Sequence, residues 1–451
     1  MFNNKKVTVV GSGISGIAAA KLLLHKNAVV TLYDGNESLD KEKVLERIGA
    51  NLPVVCGEFT EELAAQTELL VLSPGVPTDL PFVLALKEQG VPVWGEIELA
   101  YRIAGGKFIG ITGTNGKTTT TALTGEIMKQ HFNEVFVVGN IGIPYTEMAE
   151  QIGDNSVTVA ELSSFQLETV QDDFVPDVSM ILNLTPDHLN RHYTMENYGR
   201  AKLNVAKYQS AAQTCILNYE DEALRKYAEE LSCKILWFSS RRELTEGLYL
   251  DGNRILFAKQ GKITEICKTE ELNIIGLHNY ENAMAAIGAA LCMEVPLDAL
   301  RRGLMNFHAV EHRIEFVETK RGVDYYNDSK GTNPDAAIKG IQAMSKPTLL
   351  IGGGYDKNSE YDEWIAAFDG KVKHLVLIGQ TKEKIAETAR RMGVESIVLM
   401  ETFEEAMDFC VSHAEAGDAV LLSPACASWG MFKNYEERGR MFKEYVKGIK
   451  E

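Results

Sequence analysis

Several things that would place this chain in other classes are missing or scarce. Seven cysteines in 451 residues (56, 215, 233, 267, 292, 410 and 426) stand singly, with no Cys-x-x-Cys and an odd total, which argues against a disulfide framework and for packing thiols in a reducing compartment. No apolar stretch approaches the ~18 residues a membrane-spanning helix needs. Met1 to Lys6 runs directly into the strand-like Val7 to Val10, leaving no room for a signal peptide. Positive charge is short: 46 Lys and Arg against 63 Asp and Glu give a net charge of −17, a field that repels a phosphate backbone, so nucleic acid is not an expected partner. Low-complexity tracts and repeats are absent too. What remains is an ordinary globular composition, 45% apolar, long enough for about three domains of roughly 150 residues each. A cytoplasmic enzyme without membrane contact is the expectation.

Short apolar runs alternate with helical patterns, as in Val7 to Val10, helix-like 14 to 26 and Val29 to Tyr33, which predicts an α/β chain built on parallel sheets. A short amphipathic stretch ends at Gly105 and Gly106 before a new strand, Lys107 to Thr112; later, helix-like Asn279 to Met293 and Leu297 to Asn306 give way near residue 310 to renewed strand–helix alternation. Domains are therefore expected at 1–95, 96–309 and 310–451. Each would offer strand ends to a shared cleft, since ligands of α/β folds bind beyond the carboxyl ends of strands.

The strongest motif is Thr112-Gly113-Thr114-Asn115-Gly116-Lys117-Thr118-Thr119, between a strand and helix-like Thr120 to Met128. Its glycines let backbone N–H groups turn onto phosphate oxygens, Lys117 adds charge, and the Thr118 hydroxyl suits Mg²⁺. Gly11-Ser12-Gly13-Ile14-Ser15-Gly16, with Asp34 after the next strand, is a diphosphate-binding turn that leaves the attached base open. Glu161 closes strand-like Val157 to Ala160, where a carboxylate can reach the ion held by Thr118. His188 follows Thr185-Pro186-Asp187, a position more often structural. Lys202, in helix-like Asn197 to Tyr208, reads by its spacing as a solvated residue.

Taken together, Thr112 to Thr119, Gly139-Asn140-Ile141-Gly142, Glu161-Leu162-Ser163-Ser164-Phe165-Gln166, Asn183 with Asp187-His188, His278-Asn279 with Asn282-Ala283, His312-Arg313 and Asp328-Ser329-Lys330 occur in the order found in the Mur ligases. The sequence resembles that family from Gly11 to Tyr435. The turn at Gly11 to Gly16 and the segment Leu422 to Ser428 favour its D-glutamate-adding branch. The resemblance implies three α/β domains: an N-terminal Rossmann-like domain for the UDP-linked substrate, a central phosphate-loop ATPase with a mostly parallel sheet, and a C-terminal Rossmann-like domain for the amino acid. It also implies that ATP phosphorylates the carboxylate of UDP-N-acetylmuramoyl-L-alanine and that the amine of D-glutamate attacks the acyl phosphate, a step of peptidoglycan synthesis.

By the same resemblance, Gly113 to Thr119 with Lys117 hold the phosphates, and Thr118, Glu161, His188 and a carbamylated Lys202 hold Mg²⁺, two ions being expected. Lys117, Glu161, His188 and Lys202 are the implied catalytic set. Asn279 and Asn282 would serve the ATP base region, and Arg313, Asp328 and Lys330 the phosphates and ribose. Gly13, Ser15, Asp34, Asn140 and His188 would contact the UDP-linked substrate; Thr332, Lys357, Ser428 and Tyr435 would hold the incoming amino acid. A monomer is expected. A nicotinamide oxidoreductase would leave the phosphate loop unexplained, and a nucleotide switch would need a guanine motif that is absent. The open alternatives are a sibling ligase using L-alanine, a diamino acid or a dipeptide, or a folylpolyglutamate synthase.

Overall fold

Every strand of the first sheet pairs in parallel: β1 (Lys6–Val10), β2 (Val29–Asp34), β3 (Val54–Cys56), β4 (Leu69–Leu72) and β5 (Val93–Gly95) lie in the order β3-β2-β1-β4-β5. The computed structural model describes residues 1–140, 142–308 and 311–450, with the backbone only at Asn190. Ile141 of the Gly139–Gly142 motif, and the expected boundary at residues 309 and 310, lie outside the described residues.

The second sheet comprises β6 (Lys107–Thr112), β7 (Val135–Gly139), β8 (Val157–Glu161), β9 (Val178–Ile181), β10 (Thr214–Asn218), β11 (Lys234–Ser239), β12 (Gly247–Asp251), β13 (Arg254–Lys259) and β14 (Lys262–Lys268). Its order is β14-β13-β12-β11-β10-β9-β6-β8-β7, parallel as far as β12. The expected mostly parallel sheet thus carries an antiparallel edge, β12 to β14. Gln260 and Gly261, both at positive φ, form the tight turn between β13 and β14, the backbone that a two-residue hairpin loop demands.

These two sheets and residues 281–306 make one unit with residues 1–268. Val7, Val9 and Trp94 of the first sheet share a hydrophobic cluster with Phe108, Ala160 and Cys215 of the second. The expected division between residues 95 and 96 therefore falls inside this unit. Residues 269–280 and 307–451 form the other, and helix Leu277–Cys292 starts in the second and continues in the first.

The second unit carries β15 (Glu315–Lys320), β16 (Val323–Asn327), β17 (Thr348–Gly353), β18 (Val372–Ile378), β19 (Ile397–Leu399) and β20 (Ala419–Leu422), ordered β15-β16-β20-β17-β18-β19 and parallel except for β15. Alternation decides its two faces: Leu350, Leu375, Leu377 and Leu421 pack on one side, Leu349, Ile351, Val376, Val420 and Leu422 on the other. Both faces of these strands are covered, which is why they read as continuous apolar runs. Among the described residues no helix is long and apolar enough to cross a membrane.

Candidate functional site

The phosphate loop leaves β6 at Thr112, and the helix it feeds starts at Lys117, three residues before the expected Thr120. Gly113 and Gly116 have φ of +150° and +86°, and a Cβ on Gly116 would come within 2.2 Å of Asn282 Oδ1. Glycine is required at Gly116 by both its conformation and its neighbour. Asn183 staples the loop to the exit of β9: its carbonyl accepts from Thr114 N–H at 3.0 Å, its Oδ1 from Asn115 N–H at 2.8 Å, and its Nδ2 donates to Asn115 O at 3.1 Å. Thr114 Oγ1 accepts from Thr185 N–H at 3.0 Å and lies 3.1 Å from the Tyr198 hydroxyl. Lys117 Nζ donates to Gly113 O at 2.8 Å and Thr114 O at 2.9 Å. Thr118 is half-buried, whereas Thr119 is 3% exposed and turned into the protein.

Lys202 departs from its solvated reading. Its helix spans Met195–Leu203 rather than 197 to 208, and the side chain is 1% exposed, donating from Nζ to Gly113 O at 2.8 Å and lying 4.7 Å from the Tyr198 ring centre. Burial, then repulsion from Lys117, holds this amine well below the usual lysine range, against the pull of Asp187 and Glu161. The ends of β6, β8 and β9 and the helix Met195–Leu203 thus bring Lys117, Glu161, Asp187 and Lys202 into one electrostatic neighbourhood.

Glu161, the last residue of β8, is 3% exposed. Its Oε1 accepts from Asn140 Nδ2 at 3.0 Å, while its Oε2 is buried with no hydrogen-bond partner. An unpaired carboxylate oxygen away from water is costly, and a hard cation is what this donor fits. Among the described residues no three His, Cys, Asp or Glu side chains gather as a ready-made metal cluster. A cation at Glu161 would therefore depend on hydroxyl, phosphate or modified-lysine oxygens. His188 adopts the left-handed region (φ 52°), with Nε2 3.4 Å from Asp187 Oδ2 and its ring 4.9 Å from that of Phe165.

In the first sheet, Gly16 lies so close to Gly11 that a Cβ would sit 1.9 Å from the Gly11 carbonyl oxygen, whereas space beside Gly13 is open. Helix Ile14–His25 begins directly after Gly13, so the N–H groups of its first turn, which lack intrahelical partners, start at that glycine. Ser15 lies in its first turn. Asp34 Oδ2 accepts from Ser12 N–H at 2.9 Å and from Ser12 Oγ at 2.5 Å. Burial would raise its pKa, but the donors Ser12 Oγ, Asn36 N–H and Ser12 N–H outweigh it and hold the carboxyl below its ordinary value.

In the second unit Asp328 follows β16 and is 3% exposed, accepting from Ser423 Oγ at 2.7 Å and from Ile314 N–H at 3.3 Å. Burial pushes its pKa up to about 6, against Arg313, Ser423, Ile314 N–H and Arg438. Lys330 N–H donates to His312 O at 3.0 Å, and Lys330 Nζ lies 6.0 Å from the Tyr435 ring centre. The loop after β17 is tied to that after β20 by Tyr355 N–H donating to Ala427 O at 2.9 Å, which brings Lys357 to 5.1 Å from the Trp429 ring centre beside buried Ser428. Thr332 and Tyr435 are half-buried. Asn279 Nδ2 donates to Ile275 O at 2.8 Å.

The chain matches the models for the Mur ligase MurD-like N-terminal domain over residues 5–95, the Mur ligase middle domain over 111–290 and the Mur ligase glutamate ligase domain over 312–426. It belongs to the Mur ligase family. It is 57% identical to a UDP-N-acetylmuramoylalanine--D-glutamate ligase of Lachnoclostridium phytofermentans over 452 residues, covering 100% of this chain and 99% of that one. A ligase of the same description from Lachnospira eligens is 54% identical over 447 residues, 99% of each chain. Among solved structures, the UDP-N-acetylmuramate-alanine ligase MurC of Thermotoga maritima superposes with a TM-score of 0.60 at 18% identity, covering 99% of this chain and 100% of that one, a likeness of Mur ligase fold alone.

Several residues that brace the loops within each unit carry little or no signal in the sequence. Asn183 belongs to the Asn183 and Asp187-His188 motif, but its three hydrogen bonds to the loop appear only in the fold. Arg438, 1% exposed, donates from Nε to Ser329 Oγ at 2.9 Å and from Nη2 to Ser329 O at 2.8 Å; burial lowers its pKa to about 10. An arginine inside a charged helix pattern gives no signal of that kind. His192, stacked on Phe165 at 5.5 Å and 3.0 Å from Ser164 Oγ, was equally silent.

Proposed function

We propose that this Mur ligase adds D-glutamate to UDP-N-acetylmuramoyl-L-alanine in peptidoglycan synthesis, consuming ATP. The observation that carries the chemistry is the buried Glu161 carboxylate, one oxygen unpartnered, in one electrostatic neighbourhood with Lys117 of the phosphate loop and buried Lys202. The full-length likeness to ligases described as D-glutamate-adding supports the choice of amino acid.

In this reading residues 1–95 hold the UDP-linked substrate, 96–309 ATP and 310–451 D-glutamate. The open space beside Gly13 takes the diphosphate, with Ser15 and Asp34 beside it. Loop amides from Gly113 to Thr119 and Lys117 cradle the ATP phosphates, offsetting charge as the substrate carboxylate oxygen attacks the γ-phosphorus and ADP departs. Bound Mg²⁺ supplies charge neutralisation on those phosphates; Thr118, Glu161 and His188 would hold it. A neutral Lys202 amine is the form that reacts with CO₂, and the resulting carbamate would give an anion for a second ion where an ammonium cannot serve. Asn140 orients Glu161 and the substrate. Asn279 and Asn282 serve the ATP base, and Arg313, Asp328 and Lys330 its phosphates and ribose. Lys357, Ser428, Thr332 and Tyr435 position D-glutamate, whose amine attacks the acyl carbon; the tetrahedral intermediate then expels phosphate and leaves the amide.

Lys357 favours an acidic amino acid, since a diamino substrate would bring a cation beside its ammonium. The enzyme works as a cytoplasmic monomer. The test is phosphate release by purified protein with ATP, Mg²⁺ and UDP-N-acetylmuramoyl-L-alanine across candidate amino acids. D-glutamate should give the fastest turnover; faster turnover with L-lysine, diaminopimelate or L-alanine would assign a sibling ligase activity instead.

A further inference from the structure

Glu96 is the first residue of helix Glu96–Tyr101, directly after β5, and is 2% exposed. Its Oε1 accepts from Gln166 Nε2 at 2.7 Å, and its Oε2 is buried with no partner. Gln166 uses its other amide atom locally: Oε1 accepts from Ser163 N–H at 2.8 Å, while Ser163 Oγ accepts from Gln166 N–H at 3.2 Å. This reciprocal cap closes the turn that begins two residues after Glu161. The same junction is tight elsewhere: a Cβ on Gly95 would meet Thr169 Oγ1 at 2.1 Å, and Glu98 Oε2 accepts from Gln171 N–H at 2.9 Å.

A terminal amide can flip, exchanging its oxygen and nitrogen at little cost in shape. Ser163 N–H requires the oxygen; Glu96 requires the nitrogen. With both partners present only one orientation satisfies the pair. We propose that Glu96 is a positioning residue: its carboxyl fixes the orientation of the Gln166 amide and thereby the turn that carries Glu161, linking the strand that ends the first sheet to the cation-binding end of β8. This deepens the ligase reading and rests on it for the kinetic part of the test.

The test compares Glu96→Ala, Glu96→Gln, Gln166→Ala and the double variant Glu96→Ala/Gln166→Ala as full-length proteins. Glutamine at 96 keeps an acceptor oxygen for Gln166 Nε2; alanine does not. Glu96→Ala should lower kcat by about tenfold or more, with KM for ATP within about twofold, and raise the Mg²⁺ needed for half-maximal rate, whereas Glu96→Gln stays within about threefold of the parent. The double variant should be no worse than Gln166→Ala, because contacting residues that act through one bond are non-additive. Hydrogen exchange in residues 161–167 of the ligand-free chain gives a readout independent of substrate: faster in Glu96→Ala, parental in Glu96→Gln. Equal exchange in the parent and Glu96→Ala, equal losses in the Ala and Gln variants, or additive losses in the double variant would each overturn the proposal. Absence of D-glutamate turnover by the parent would instead overturn the ligase reading, leaving the exchange result to decide the role of Glu96. If Glu96→Ala does not fold, Glu96→Gln and Gln166→Ala decide it: parental exchange in the first and faster exchange in the second support the proposal, and the reverse sinks it.

Discussion

Glu161 and Asp328 are both buried carboxylates at a parallel strand's end, the first the last residue of β8 and the second just past β16, one in each unit, and they are treated in opposite ways. Asp328 has donors on both oxygens, Ser423 on one and the Ile314 N–H on the other, with Arg313 and Arg438 nearby. Glu161 has Asn140 on one oxygen and nothing on the other. Since a buried unpaired polar atom is costly, the ligase reading completes this Glu161 oxygen with a bound cation. A fully partnered acid instead fixes the loop around it: the Asp328 bonds tie the chain at Ile314 to the segment after β20.

Variants can break or sharpen that contrast. Lys117→Ala should have the largest effect, abolishing ATP turnover while leaving UDP-substrate binding near parental, because in the ligase reading the cation serves the transferring phosphate and the diphosphate turn follows a strand of the other sheet. Turnover within about tenfold of the parent sinks the phosphate-loop assignment. Glu161→Gln comes next. It keeps the shape and removes the charge, so the Mg²⁺ dependence of the rate should shift steeply upward, and an unchanged titration would falsify the cation site.

Lys202→Ala should lose most activity and regain part of it with added short carboxylic acids, which can place an anion where the carbamate would stand. Full activity without rescue would leave buried Lys202 a purely structural donor to Gly113. Asp328→Asn should act on the fold: the amide can keep Oδ1 on the Ile314 N–H and donate from Nδ2 to Ser423 Oγ, but it removes the negative charge that faces Arg313 and Arg438, at a cost of about 1–3 kcal/mol. A lowered melting temperature with an unmoved Mg²⁺ titration is expected; a shifted titration would erase the contrast with Glu161.

The effect confined to a pH range concerns Glu96, whose pKa burial pushes up to about 7, against the Gln166 amide and the nearby Thr146 N–H. The ionisable neighbour facing it is Tyr145, itself kept neutral because burial raises its phenol further. A carboxyl with a folded-state pKa above its unfolded value stabilises the fold fully below the unfolded pKa, and loses that contribution as pH rises through the folded one. The parent should therefore lose stability between about pH 4.5 and 7, by at most about 3 kcal/mol. Glu96→Gln should not, so its melting temperature should gain on the parent as pH rises from 5 to 8. A constant difference across that range would show that Glu96 does not titrate there.

Local chemistry fixed much of this in advance. A glycine-lysine-threonine run between a strand and a helix can do little except turn backbone amides outward, and strands covered on both faces must read as apolar runs, so the phosphate loop and the α/β class were legible from order alone. The antiparallel β12 to β14 edge was not, because short strands of mixed polarity resemble loops until paired. Lys202 is the clearest limit: a lysine in a polar helix looks solvated, and only the packing of helix Met195–Leu203 against the phosphate loop turns it inward. Glu96, Arg438 and Asn183 share that limit. Residue type and spacing along the chain determine which chemistry is on offer; burial and partnership depend on elements far apart in the chain, 109 positions for Arg438 and Ser329, and those distances close only when the sheets pack.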